Sequence, residues 1–73
     1  MKLNTYDFRM ALAEADKSQA DVARQLGKSQ AWVTNLKKGY FTPTEKDAKA
    51  IVKFLGCKIE EIFVIDKAVK RGS

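Results

Sequence analysis

The 73-residue chain predicts an all-α fold, a compact bundle of five short helices, on three observations. Between its turns, apolar residues recur three and four positions apart, as on the inner face of an amphipathic helix. Asn, Ser or Thr precedes those stretches, and Gly27, Gly39 and Gly56 follow three of them, which is how helices start and stop. No stretch shows the strict apolar–polar alternation of a half-buried strand.

The first helix is expected from Thr5 to Ala15. Asn4 or Thr5 can cap it, Asp7 suits its N-terminal dipole, and Phe8, Ala11, Leu12 and Ala15 share one stripe. Asp16 and Lys17 connect it to Ser18, the cap of a second helix, Gln19 to Leu26, whose inner face is Val22, Ala23 and Leu26. Gly27 stops that helix because glycine takes a left-handed cap at little cost. Ser29 caps the third, with Val33 and Leu36 inward and Gly39 as terminator. Its outer face carries Gln30, Ala31, Thr34 and Asn35, with Lys28, Lys37 and Lys38 at the ends. Amide side chains on a rigid helix between lysines suit base edges lying between two phosphate strands. After the loop Gly39–Thr42, either Thr42 or Thr44 caps a fourth helix that runs to Leu55, with Ala48, Ile51, Val52 and Leu55 inward. Residues 57–63 make a short fifth helix closing the core with Ile59, Ile62 and Phe63.

Composition bounds the function. Seventy-three residues make one domain near the lower limit for a useful core. No apolar run approaches the ~20 residues of a membrane span, and the N-terminus is too polar for a secretory signal. A lone cysteine makes no internal disulfide and suits a reducing compartment. Cys57 reads as a small core hydrophobe. With no histidine, the chain offers no metal cluster and no Ser/His or Cys/His pair, so neither catalysis nor a metal or other cofactor is expected.

The net charge is +5, and its location matters more than its size. Residues 17–40 hold five basic side chains against the single acid Asp21, a net +4, and the rest of the chain is almost balanced. The imbalance thus falls on the candidate reading unit, as an electrostatic footprint for DNA would.

The spacing Ser18-Gln19-x-x-Val22-Ala23-x-x-Leu26-Gly27-x-Ser29-x-x-x-Val33-x-x-Leu36-x-x-Gly39 resembles the helix-turn-helix of lambdoid phage repressor and Cro proteins. The likeness continues through Pro43 and on from Ile51 to Phe63, covering roughly residues 8 to 63. It implies a five-helix DNA-binding domain over 1–65, followed by a basic tail, 66–73. Through Lys67, Lys70 and Arg71 that tail reads either as an arm or as a frayed solvated end, the second being favoured. It implies a sequence-specific regulator that places its third helix in the major groove, with Gln30, Ala31, Thr34 and Asn35 on bases. Gln19, Lys28, Ser29, Lys37 and Lys38 would hold phosphates, Gln19 because the family uses that glutamine so. The expected partners are operator DNA, a second copy on a neighbouring half-site and, on a rival reading, another repressor protein. No membrane and no small-molecule ligand are expected. A phage or mobile-element origin and the cytoplasm of a bacterial host follow from the same likeness.

Three departures from the family pattern stand out. Asp16 and Lys17 replace a usual glycine and apolar residue, with Lys17 expected to face solvent. Leu12 and Lys37 stand where many relatives pair an arginine with a glutamate. Half of such a pair would leave a buried charge costing about 3–5 kcal/mol, so their joint replacement is consistent, with the Lys37 stem over Leu12 and its ammonium in water. Trp32 is larger than the usual residue. It reads as partly core, as a phosphate neighbour, or, with Tyr40 and Phe41, as a protein-contact patch. That patch supports the rival reading, an antirepressor or interaction module on the same scaffold.

Overall fold

The computed structural model describes residues 1–64; Ile65 and the expected basic tail, 66–73, lie outside the described residues. Helix starts follow the caps. Helix α1, Thr5–Ala15, begins at Asn4, whose side chain accepts from the Asp7 N–H at 3.0 Å. Helix α2, Gln19–Leu26, begins at Ser18, and α3, Gln30–Lys38, at Ser29. Helix α4, Glu45–Leu55, begins at Thr44 rather than Thr42. Each cap oxygen satisfies one of the N–H groups that a helix start leaves without an intrahelical partner.

The stops are left-handed residues. Gly27 takes φ +70° and turns the chain from α2 into α3, a conformation that costs an L-residue about 1–2 kcal/mol. At the end of α1 the left-handed residue is Asp16, with φ +58°. The connection so formed returns Asp16 N–H to Ala13 O at 3.2 Å and Lys17 N–H to Leu12 O at 2.9 Å, closing the helix as glycine would.

The core is built by all five helices. Phe8, Val22, Val33 and Ile51 are fully buried, and Ala23, Leu36, Ala48, Val52, Leu55 and Ile62 complete the centre. Ala11, Leu12, Ala15, Leu26 and Ile59 pack against it from the rim. Cys57 is half-buried there, and burial first, then Glu61 and Glu14, push its thiol pKa up, so the thiol stays protonated.

The structure adds one feature to the all-α expectation. Strand β1, Lys2–Leu3, pairs antiparallel with β2, Phe63–Val64, with Leu3 opposite Phe63. The fifth helix is correspondingly shorter than the expected 57–63: α5 spans Ile59–Ile62, and Phe63 leaves the helix with φ −115° to enter β2. Leu3, absent from the expected core, is buried under this ribbon.

Candidate nucleic-acid interface

Helices α2 and α3 pack on one another across the Gly27 turn. Val33 and Leu36 anchor α3 inward, which fixes the opposite face outward. On that face Gln30 and Ala31 are exposed, whereas Thr34 and Asn35 are half-buried. Lys28 and Ser29 are exposed at its start and Lys38 at its end; Lys37 is half-buried.

Two of those cations rest on aromatic rings. The Lys28 ammonium lies 5.3 Å from the Trp32 centroid, and that of Lys38 lies 5.8 Å from the Tyr40 centroid. Such contacts contribute about 0.5–1 kcal/mol at exposed sites. Here they bias two flexible side chains toward the ends of α3. Lys17 behaves similarly: exposed as expected, its head lies 5.1 Å over Phe54.

The three aromatic residues suggested as a patch are split. Trp32 and Phe41 stack at 5.4 Å with a 45° tilt and are both half-buried against the core. Tyr40 is 70% exposed. The partly-core reading of Trp32 describes its position.

A polar network between α2 and α3 was not anticipated from the sequence. Gln19, at the first position of α2, donates from Nε2 to Thr34 Oγ1 at 3.0 Å and accepts at Oε1 from the Lys37 ammonium at 2.9 Å. Its Nε2 also approaches the Gln30 carbonyl at 3.5 Å. The Lys37 ammonium is therefore not simply in water above Leu12, because the Gln19 amide oxygen is within its reach. The Thr5 hydroxyl donates to the Lys37 carbonyl at 3.2 Å and satisfies one of the open carbonyls at the end of α3. Three contacts, at sequence separations of 15, 18 and 32, thus hold α3 against α1 and α2. Among the described residues both ion pairs are exposed and lie within single helices, Arg24–Asp21 and Lys49–Glu45.

The start of α2 is a reciprocal capping box. Asp21 N–H donates to Ser18 Oγ at 3.2 Å, while Ser18 N–H donates to the Asp21 carboxylate at 2.8 Å. The Arg24 guanidinium, 2.7 Å away, and then the Ser18 N–H lower the Asp21 pKa from 3.8 to about 2. Arg24 therefore balances the only acid of the unit.

Among the described residues no helix is long and apolar enough to cross a membrane, and no three His, Cys, Asp or Glu residues cluster as metal ligands.

A family model described as helix-turn-helix matches residues 8–62, most of the chain. The chain belongs to the helix-turn-helix family. This is the family that the Ser18–Gly39 spacing implied. A helix-turn-helix relative from Methanocaldococcus jannaschii is 41% identical over 49 residues, covering 67% of this chain and 74% of the relative. Another, from Archaeoglobus fulgidus, is 30% identical over 67 residues, covering 92% and 90%. Both are named uncharacterised HTH-type transcriptional regulators. No solved structure matches the chain.

Proposed function

We propose that this helix-turn-helix protein is a small sequence-specific DNA-binding transcriptional regulator that docks α3 in the major groove. The observation that carries the reading is the outward face of α3, where exposed Gln30 and Ala31 lie between Lys28 and Lys38. Gln30 and Asn35 can each pair bidentately with adenine, Ala31 can admit a thymine methyl, and Thr34 adds a hydroxyl. Lys28, Ser29, Lys37, Lys38 and Gln19 take the phosphates, Gln19 through its side chain or the open N–H groups at the start of α2. One module buries too little to select a genomic site alone, so two copies sit on half-sites about one turn apart. Membership of this family, the net +5 charge and the absence of any Ser/His or Cys/His pair favour a binding role over an enzymatic one. The resemblance to repressor and Cro proteins supports a phage or mobile-element origin and a place in the host cytoplasm.

Titrating the protein onto duplexes from the inverted repeats beside its gene, at two salt concentrations, tests this. Each phosphate neutralised should contribute a slope of about −0.9 in log affinity against log salt, and Gln30→Ala should erase the preference for one base pair. The alternative is an antirepressor that uses exposed Tyr40, with Trp32 and Phe41 behind it, on another repressor. It predicts weak, sequence-blind binding that is indifferent to Gln30.

A further inference from the structure

Tyr6 and Met10 stand one turn apart on α1, 70% and 47% exposed, and Ala13 follows on the same stripe. They line an open apolar hollow of about 290 Å³, with Arg9 at its edge. Met10 also lines a second groove, about 150 Å³, where Asp7 and Glu14 of α1 meet Cys57 and Glu61. Three carboxylates and no cation line that groove, and among the described residues none of the three is ion-paired. An apolar strip edged by open carboxylates suits a segment that carries apolar and basic side chains together.

Such a segment follows Val64 directly. Residues 65–73 hold Ile65, Ala68 and Val69 with Lys67, Lys70 and Arg71, against the single acid Asp66. Because β2 is antiparallel to β1, with Val64 opposite Lys2, the chain passes Val64 heading away from the start of α1. A return to the groove needs a reversal, and Asp66 is a residue suited to turns. From Asp7 to Glu14 the groove runs about 10 Å, at 1.5 Å per helical residue. The six residues after a turn at 65–67 span up to about 20 Å, which is ample. Charge selects the direction of return: the net +4 of residues 17–40 repels these cations, and the groove attracts them.

We propose that residues 65–73 fold back over the α1–α5 groove of their own chain, Val69 against Met10 and Lys70 and Arg71 beside Glu14 and Glu61. A tether this short supplies an effective concentration on the order of a millimolar, so modest contacts suffice. Docking covers Met10 and half-buried Cys57 and occupies the three tail cations internally.

The test attaches a nitroxide at Gly72→Cys in a Cys57→Ala chain and reads amide peak intensities of the isotope-labelled protein. Met10, Glu14 and Glu61 should lose most of their intensity, with α3 unchanged. Raising salt from about 0.05 M to about 0.5 M should restore the peaks. Changing Lys67, Lys70 and Arg71 together to Gln should do the same. In a mixture of isotope-labelled chains without nitroxide and nitroxide chains without isotope, the peaks should stay intact. Broadening in that mixture means docking on a second copy and overturns the proposal. So does intensity loss that is absent at the groove, spread evenly over the protein, or insensitive to salt and tail charge. Should the Cys57→Ala chain not fold, the wild type serves without a label. Rising salt should then move the amide shifts of Met10, Glu14 and Glu61 toward those of the chain with the three Gln substitutions, and shifts that stay put overturn the proposal.

Discussion

Asp16 holds a conformation that suits glycine better, and it places a negative charge at the negative end of α1. Replacing it removes both penalties, against the extra chain entropy of glycine. Asp16→Gly should therefore stabilise the protein by about 0.5–1 kcal/mol, read as a rise in Tm of about 2–8 °C. Asp21 behaves oppositely, being well placed and charged. Its folded pKa lies below its ordinary value, so its contribution is complete above about pH 4 and disappears as pH falls from 3.8 toward about 2. Thermal melts from pH 6 to pH 2 should show Asp21→Asn with a flatter acid decline than wild type. Single residues were unevenly legible in the sequence. Ser18 with Asp21 is a local signal three positions apart, whereas Gln19 meets Thr34 and Lys37 only after α2 and α3 have packed.

At the scale of elements, the helices were readable because capping and periodicity act within a few residues. Helix α1 runs Thr5–Ala15 as expected, and α2 and α3 stop at Gly27 and Gly39. The β1–β2 ribbon was not readable, since two residues per strand carry no period and their partners lie at opposite ends of the domain. That ribbon nonetheless decides how the ends are tied. The Asn4 N–H donates to the Ile62 carbonyl at 2.8 Å beside it, and Leu3 lies beneath with 2% exposure. Leu3→Ala should cost about 2–5 kcal/mol, measured by denaturant unfolding, a large part of the stability of a domain this small. Were Leu3 a dispensable end residue, the loss would stay within about 0.5 kcal/mol.

For the molecule as a whole, the relevant pattern is charge set beside shape. The net +4 of residues 17–40 gathers around α2 and α3, and rings beneath Lys28 and Lys38 hold two of those charges at the ends of α3. Lys28→Ala should weaken binding similarly for all duplexes and lower the salt slope by about 0.9 for each phosphate contact removed, leaving base preference intact. The family and the outward position of Gln30 and Ala31 were legible from spacing, whereas Thr34 and Asn35, expected on the same open face, are half-buried. What spacing left out was the internal wiring of that face, where half-buried Thr34 and Lys37 are already bonded to Gln19. The most direct measurement is an amide chemical-shift titration of the isotope-labelled protein with a selected duplex. The account predicts the largest changes at Gln19 and Ala20 and across Lys28–Lys38. Changes concentrated instead on the α1–α5 side, around the exposed Tyr6 and Met10 of α1 and Glu61 of α5, with α3 silent, would contradict it.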